Sequence, residues 1–517
     1  MFSSARSARP AHLAFLSMAL AAVLTLSACG GANTAGTGTS TSAPKPGGSA
    51  RLAYYLAVDK LDPALTSGGP NYNILQLIYD TLVHVDAGGK PAPGLATSWQ
   101  FSPDLKTLTL TLREGLTFPD GTPFDANVVK ANLDRSKTLP SSTTAALLTS
   151  LQSTAVLDPT HVKLTLTKPD ALIVMDLADR AGMMASPKSF DGLVNAPVGL
   201  GQYTMDAYKP GVSITLKKNP AYWDAKSVLL DNVTIDFIPD ATARLNAVRT
   251  GRDDAAQIDP SQIADAQAGQ LNTMDAPGVK YIALQVNPDH VPAYKNPLVR
   301  QAISLALDRA AISKTLYLDK ADISGQVFQE GTIGHGGNVT APYDLEKAKQ
   351  LMAQAGYAGG FPLTTTIAPA YKSLTEAMQA QLAKLNIQLK IDIPSAGYAV
   401  SDGMWVKKTL ESTVTGFFTP FDLATGVARV FGPGGTTNPG NLSSPDVDKA
   451  VDAARSSADP ATQGSQLQSV SKELVTDPLG AIVVIRPLEI IAYGKKISGF
   501  SPCLGGFPCL ANVGVSG

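Results

Sequence analysis

Hydrophobic and polar residues alternate strictly from Thr107 to Leu112, with three leucines on one side and three threonines on the other. This period of two predicts a strand with one buried face. Two turns containing glycine and proline follow, and Asp125 is placed to cap a helix that runs to about Arg135. The stretch offers no nucleophile, metal ligand or phosphate-binding loop. Its pattern therefore predicts architecture rather than chemistry.

The C-terminal half shows the same alternation of helices and strands. Asn296, which a proline follows, and Asp344 are both placed to cap helices. Ser373 and Glu376 have the spacing of a capping box for another helix, and residues 387–393 alternate as the strand that comes next. Helices joined to strands by short connections predict a wound α/β sheet.

Length and charge narrow the class of protein. The 517 residues suffice for two or three domains, each with its own core. The net charge is −1, and 16% of the residues are charged, against a usual share of about 25%. Nucleic-acid binding requires a basic face, so we expect no nucleic-acid partner. Beyond the N-terminus we find no apolar run of about 18 residues, which predicts a soluble mature protein.

The N-terminus has the pattern of a targeting signal. Two arginines lie within the first nine residues, and an apolar run occupies residues 13–24. The sequence Leu-Ser-Ala-Cys that ends at Cys29 resembles a bacterial lipobox, which implies a signal peptide over residues 1–28 and lipidation of Cys29. An ordinary signal peptide with an incidental cysteine is the alternative. The lipobox places the protein on the outer face of the cell membrane, which is the periplasmic side where an outer membrane is present.

The remaining cysteines and the segment after Cys29 complete this picture. Residues 29–50 are mostly small and polar, and we expect a flexible tether there. Cys503 and Cys509 are separated by a short stretch that contains two glycines, with no histidine nearby. Outside the cytoplasm this spacing favours a local disulfide over a metal site. We predict no metal and no cofactor.

Three segments resemble a known family. Pro-Gly-Leu-Ala-Thr-Ser-Trp at 93–99 precedes the alternating strand, a glycine-rich hairpin at 199–223 ends in Asn-Pro-Ala-Tyr-Trp, and Asn-Pro-Leu-Val-Arg-Gln-Ala-Ile at 296–303 opens a helix. In this order they resemble the peptide/nickel-binding (family 5) solute-binding proteins of ABC importers. The resemblance covers about residues 51–502. Pro119 and Val128 depart from the family's usual residues, both at a surface turn and helix start.

The resemblance implies an α/β, two-lobe periplasmic-binding-protein (Venus flytrap) fold with mixed sheets, type II-like. Lobe I is expected over residues 51–285 and 488–517, with a small extra subdomain at about 86–195, and lobe II over 286–487. Such a protein is not an enzyme. It is expected to act as a monomer, to close its lobes over a peptide-like solute and to present the closed form to ABC permease subunits.

The resemblance also implies where a ligand would lie in the first lobe. There the first strand, the loop after it and the next helix border the cleft. This makes Asp59, Asn71 and Tyr72 candidates for ligand contact, with solvated loop residues as the alternative.

In the second lobe, the family's cleft segment carries aromatic and acidic residues, and in peptide binders an aspartate there meets the amino group of the peptide. Asp422 is the acid at or just after that place, whereas Thr419 and Pro420 stand where it is first expected. The aromatic candidates for ligand contact are Trp405, Phe417, Phe418 and Phe421, with strand core as the alternative for Phe417 and Phe418. A non-peptide ligand such as a metal chelate, an opine-like compound or an oligosaccharide is therefore the alternative.

Two arginines complete the candidates. Arg429 and Arg486 are placed to meet a carboxylate, or else to form structural ion pairs. Neither His290 nor His335 has a partner at metal-ligand spacing.

The rival class is a secreted serine hydrolase. Its support is the S-x-x-K match at Ser469–Lys472, but the chain lacks K-T-G, G-x-S-x-G and H-E-x-x-H. We therefore predict no catalytic residue. A family member that senses a solute without transporting it is a further alternative.

Overall fold

A computed structural model describes residues 43–66, 69, 71–395, 398–502 and 504–516. The predicted signal peptide, the Cys29 lipidation site and most of the tether lie outside these residues. Cys503 also lies outside them, so its disulfide with Cys509 stays a prediction. In the part of the chain that is described, no helix is both long and apolar enough to span a membrane.

A seven-stranded mixed sheet forms the centre of the first lobe. Strand Ser49–Tyr54 runs parallel to both of its neighbours, and the other pairs are antiparallel. Its buried residues Ala50, Leu52 and Tyr54 pack in one core and Ala53 packs in another, as in a strand that is covered on both faces. The spatial order is Asn272–Ala276, Glu489–Tyr493, Ala255–Ile258, Ser49–Tyr54, Asn232–Phe237, Ser213–Lys218 and Tyr203–Lys209.

A four-stranded antiparallel sheet belongs to the same lobe. The leucines of Thr107–Leu112 are buried, as the alternation predicts, and they pack with helix Ala126–Thr138 in a separate core. The sheet order is Ala96–Phe101, Thr107–Leu112, His161–Leu166 and Leu151–Asp158. The helices of the first lobe are Asn71–Ile78, Ala126–Thr138, Ile173–Asp176, Ala241–Arg249 and Ile263–Ala268. Two-stranded ribbons pair Val83–Val85 with Pro91–Pro93 and Ile497–Ser498 with Gly514–Val515.

A six-stranded mixed sheet forms the centre of the second lobe. Strand Lys280–Val286 lies inside it, between two antiparallel partners, so the second lobe begins near residue 280 and not at the expected residue 286. The order is Ala321–Asp322, Ala481–Pro487, Lys280–Val286, Ser412–Phe418, Pro362–Thr366 and Gln388–Asp392. The helices are Pro297–Ala306, Arg309–Tyr317, Leu345–Gln354, Lys372–Leu382, Tyr398–Ser401, Leu423–Phe431, Pro445–Arg455 and Pro460–Thr476, with a π-turn at Asp402–Val406.

Two short crossings join the lobes side by side. One is residues 277–279, between strands of the two sheets, and the other is Leu488. Gly278 packs directly on the second crossing, because a Cβ built there would lie 1.9 Å from the carbonyl oxygen of Pro487. Any larger residue at 278 would push the two crossings apart.

Helix starts follow the predicted caps in most places. The side chains of Asp125, Asn296 and Asp344 accept hydrogen bonds from the first-turn backbone, as predicted. The capping box at Ser373 is wrong: the helix begins at Lys372, directly after a tight turn of residues 369–371. That turn already runs into the helix, so no side chain is needed to start it.

Candidate functional site

A cleft between the lobes lies beside the crossings. Its central compartment measures about 630 Å³ including space open to solvent. The first lobe contributes the start of helix Asn71–Ile78, residues 179–180 and the loop at 504–505, and the second lobe contributes residues 418–421 and helix Leu423–Phe431. The side chains that line this compartment include Tyr72, Asp179, Arg180, Phe418, Phe421, Arg429 and Leu504.

Two further compartments open from the central one. A polar compartment of about 940 Å³ extends towards Asp80, His84 and Asp86, and an apolar one of about 520 Å³ extends towards Leu172 and Met175. The side chains of Phe421 and Leu504 line all three spaces. The compartments therefore form one cleft, with a polar end and an apolar end, and its size suits a small organic solute.

Arg180 brings a buried positive charge to the first-lobe wall. Its Nη1 donates to the carbonyl oxygens of Pro63 and Thr66, both at 3.1 Å, and to the hydroxyl of Thr143 at 2.7 Å. Burial lowers the pKa of Arg180, and the like charge of Arg429 lowers it further, against the raising effect of nearby Asp179. Two guanidinium groups thus face the same space from opposite lobes.

Arg429 lacks part of its hydrogen bonding. Helix Leu423–Phe431 carries it, and its Nη2 donates to the carbonyl oxygen of Phe418 at 3.0 Å. Its Nε is buried and has no hydrogen-bond partner among the described residues. A guanidinium binds a carboxylate through two parallel N–H groups, so an anionic oxygen is the kind of partner that this Nε lacks.

Aromatic side chains close the cleft from both lobes. Tyr72 meets Phe421 edge to face, with ring centroids 5.4 Å apart. The ring of Phe418 lies against Gly69, where an added Cβ would come within 2.9 Å of the ring. These contacts cross from one lobe to the other, so aromatic side chains of both lobes meet at the central compartment.

The loop at 504–507 is held by a buried carboxylate. Glu489 accepts a hydrogen bond from the backbone N–H of Phe507 at 3.0 Å, and Asn73 donates to the Phe507 carbonyl oxygen at 2.8 Å. Burial raises the pKa of Glu489 to about 7, even though the Phe507 N–H stabilises the charged form. This loop carries Leu504 into the cleft.

The structure separates the predicted first-lobe residues. Asp59 accepts hydrogen bonds from the Asn71 amide and from the Thr66 hydroxyl, both at 2.7 Å. These bonds hold the loop before the helix, and neither Asp59 nor Asn71 lines the compartments described above. Of the three predicted residues, Tyr72 is the one that reaches the cleft.

Neighbouring phenylalanines in the second lobe point to opposite sides of their strand. Phe418 faces the cleft, whereas Phe417 is 3% exposed and stacks on Tyr281 with centroids 5.4 Å apart. Trp405 packs near Phe417 and donates to the side-chain oxygen of Gln285 at 2.6 Å. Phe417 and Trp405 therefore pack in the core of the lobe, and neither lines the three compartments of the cleft.

Asp422 and Arg486 are also structural in this fold. Asp422 is fully buried, caps helix Leu423–Phe431 and pairs with Arg455 at 2.7 Å. Arg486 is 2% exposed and donates to the carbonyl oxygens of Gly278 and Val327, and its burial lowers its pKa to about 10. Arg486 thus braces the crossings, and neither side chain is free to meet a ligand.

The residue that sequence reasoning missed is Arg180. It lies in residues 171–184, a largely apolar stretch in which Asp176, Asp179 and Arg180 are the charged side chains. Charges within an apolar stretch are costly to bury without partners. That pattern is the signal that would have identified this segment as more than subdomain packing.

Comparison with known proteins agrees with this architecture. Residues 90–438 match the family described as bacterial extracellular solute-binding proteins, family 5 Middle. The glutathione-binding protein GsiB of Escherichia coli (strain K12) is 28% identical over 459 residues, which cover 85% of this chain and 89% of that protein.

Two solved structures share the fold over nearly the whole chain. The periplasmic binding protein DppA from Helicobacter pylori, in complex with the peptide STSA, superposes with a TM-score of 0.79 at 23% identity and covers 92% of this chain and 99% of its own. The binding protein AgaA from A. tumefaciens R10, in complex with agropinic acid, gives 0.76 at 26% identity, with 91% and 99% covered.

Proposed function

Because the chain belongs to the family 5 bacterial extracellular solute-binding proteins of ABC importers, we propose that its cleft binds a peptide-like solute with at least one free carboxylate. The carboxylate would lie between Arg180 and Arg429 and would complete the hydrogen bonding of the Arg429 Nε. The single observation that carries this proposal is that buried, unpartnered donor in a cavity with two guanidinium groups.

Charge balance supports an anionic group over a neutral one. Burial is the largest cause of the lowered pKa of Arg180, and repulsion from the like charge of Arg429 in the same cavity adds to it. Asp179 offsets part of the repulsion, with 3.9 Å between its carboxylate and the Arg180 Nε. A ligand carboxylate would supply the remaining negative charge, and charge-assisted bonds of this kind contribute about 1.5–3 kcal/mol each.

The polar compartment suits the other end of such a solute. Asp86 is exposed there, near the pair of His84 and Asp80, whose nitrogen and oxygen are 2.5 Å apart. Asp80 is already satisfied, because it also accepts from the indole N–H of Trp223 at 2.6 Å. A ligand ammonium group would therefore meet Asp86, and the solute would lie with its carboxylate at the arginines.

The names of similar proteins fit this chemistry. Glutathione and the peptide STSA each carry a free amino group and free carboxylate, and agropinic acid is also an acid. These ligands belong to those proteins, and together they define the class that we propose for this chain.

The hydrolase alternative finds no support at its motif. Ser469 lies on helix Pro460–Thr476 and donates to the carbonyl oxygen of Gln466 on the same helix at 2.7 Å. It lines none of the cavities described above, and both it and Lys472 are exposed on the surface. A nucleophile needs a base within hydrogen-bond reach and an adjacent substrate site.

The decisive experiment compares acids with their esters. Calorimetric titration of the purified protein with reduced glutathione, Ser-Thr-Ser-Ala and agropinic acid, each beside its carboxyl-methylated form, tests whether a carboxylate is required. We expect at least one acid to bind and its ester to bind at least about tenfold more weakly. Equal affinity for acid and ester would contradict the proposal, as would binding of neutral compounds alone.

We also propose that the mature protein is lipid-anchored through Cys29. This rests on the lipobox-like sequence and on the extracytoplasmic place of the family. Metabolic labelling with radioactive palmitate should mark the wild-type protein and leave Cys29→Ala unlabelled. Absence of label from the wild type, or equal labelling of both, would contradict the anchor.

A further inference from the structure

A buried group of charges joins the lobes away from the two arginines of the cleft. Arg455, at the end of helix Pro445–Arg455, binds both carboxylate oxygens of Asp170 through its Nη1, at 2.8 and 2.9 Å. Its Nη2 binds a carboxylate oxygen of Asp422 at 2.7 Å. The relative exposure of the three residues is 7% or less. This guanidinium therefore bridges one carboxylate of each lobe.

Asp170 comes from the first lobe and docks into the second. It follows strand His161–Leu166 and precedes helix Ile173–Asp176, whose apolar side chains lie in the core of the small sheet. Leu172, two residues on, is instead buried in a core of the second lobe. The backbone N–H of Ala171 also donates to the carbonyl oxygen of Arg455 at 2.7 Å. Residues 170–172 thus project from the first lobe and pack into the second.

The buried charges around Arg455 adjoin the ligand cleft. Asp422 caps the helix that carries Arg429, because its carboxylate accepts from the backbone N–H groups of Ala424 and Thr425. Leu172 lines the apolar compartment of the cleft on the other side. Opening the lobes would separate Arg455 from Asp170 and leave the pair between Arg455 and Asp422 inside the second lobe.

We propose that Arg455 is an interlobe latch, which holds Asp170 of the first lobe and Asp422 of the second together and so sets how long a bound solute stays. Arg455 does not touch the solute, and it acts as a positioning residue through closure. This inference rests on the proposed function only in that a solute lies between the lobes. It predicts that closure is favoured even before a solute binds.

Substitution Asp170→Asn tests the latch with little change in shape. The carboxamide keeps one hydrogen-bond acceptor but loses the charge and the two-oxygen contact with Arg455. The chain offers a matched control in Asp452→Asn, because Asp452 on the same helix pairs with Lys168 across the same boundary at 3.3 Å, and both side chains are more than half exposed. Exposed pairs contribute little.

Two measurements separate this inference from the proposed function. Small-angle scattering of the ligand-free protein should show a larger radius of gyration for Asp170→Asn than for the wild type, and no change for Asp452→Asn. Stopped-flow fluorescence with reduced glutathione should show dissociation about tenfold faster for Asp170→Asn, because the open form that releases the solute is then easier to reach. Association should be no slower than in the wild type, because more of the ligand-free variant is open. If glutathione does not bind, the scattering result alone decides on the latch.

A second variant guards against misfolding. Arg455→Lys keeps the positive charge and loses the bidentate contact, so the scattering and the dissociation rate should fall between those of the wild type and Asp170→Asn. Far-ultraviolet circular dichroism and thermal unfolding establish that each variant is folded. Equal radii of gyration for the wild type, Asp170→Asn and Arg455→Lys would overturn the latch.

Discussion

Two arginines on helices of the second lobe reach the boundary between the lobes, and they differ in one respect. Arg455 is surrounded by carboxylates, and its Nη groups are paired with Asp170 and Asp422. Arg429 has one backbone acceptor and a buried Nε without a partner among the described residues. Ion pairs with carboxylates of both lobes thus favour a structural role for Arg455, whereas an unpartnered donor beside a cavity favours a ligand role for Arg429.

The largest difference is expected when each arginine is replaced by methionine, which removes the charge and keeps much of the volume. Arg455→Met leaves Asp170, Asp176 and Asp422 without their cation, and we expect the free energy of unfolding at pH 7 to fall by about 3–5 kcal/mol. Arg429→Met removes an incompletely bonded group and should change it by less than about 1 kcal/mol. Urea unfolding followed by circular dichroism measures both.

Equal stability of the two variants would contradict this difference between Arg455 and Arg429. In that case the charges around Arg455 would be neutralised by protons or water at little cost. The measurement is repeated at pH 5. There the buried carboxyl groups that have lost their cation can take up protons, which should reduce the loss of stability in Arg455→Met.

A second test concerns the protonation of Asp176, a buried acid beside the latch. Burial and the neighbouring Asp422 raise the pKa of Asp176 well above its usual value, although Arg455 opposes this. We therefore expect Asp176 to hold its proton in the folded protein over a pH range in which the unfolded chain, with an ordinary aspartate pKa of about 4, has lost it. Stability contributed by this proton is present at low pH and is lost as the pH rises.

Substitution Asp176→Asn removes this titration. From pH 5 to pH 7 the wild type should lose stability relative to Asp176→Asn by up to about 1.4 kcal/mol for each pH unit, as measured by urea unfolding at each pH. Parallel pH profiles for the two proteins would show that Asp176 is ionised in the fold and that the latch carries an unbalanced charge.

The third test addresses the other arginine through the ligand. Arg429→Met should weaken binding of an acid that the wild type binds by about 1.5–3 kcal/mol, while binding of its methyl ester changes little. Calorimetry with the acid and ester pair measures this directly. A variant that loses both ligands equally would mean that Arg429 shapes the cleft and does not meet a carboxylate.

The sequence predicts the fold far better than the site. Motifs such as 93–99 and 296–303 are made of turns, caps and strand periods, and these are local properties that a sequence displays. The alternation at Thr107–Leu112 and the caps at Asp125 and Asn296 are confirmed for this reason. The start of the helix at Lys372 was missed because a preceding turn took the place of a cap.

Site residues depend on partners that are distant along the chain. Phe417 and Phe418 are equivalent in sequence, and only the sheet decides that one packs on Tyr281 and the other faces the cleft. Asp422 has the carboxylate that a ligand-binding residue at this place would need, but it pairs with Arg455, which lies 33 residues away in the chain. No periodicity marks such a pair. Sequence alone therefore proposes more site residues than the fold brings together.

The smallest effect is expected for an exposed ion pair at the lobe boundary. It tests whether position at the boundary, without burial, is enough to stabilise an ion pair. Lys168 and Asp452 pair across the boundary beside the latch, with 57% and 66% of their side chains exposed. Because solvent and salt screen such charges, their coupling energy should be at most about 1 kcal/mol and should disappear in about 1 M salt. A double-mutant cycle of Lys168→Gln and Asp452→Asn, measured by urea unfolding at two salt concentrations, gives this value. A coupling that persists at high salt would show that the boundary itself excludes solvent around this pair, so that burial of Arg455 would no longer distinguish the latch from its neighbours.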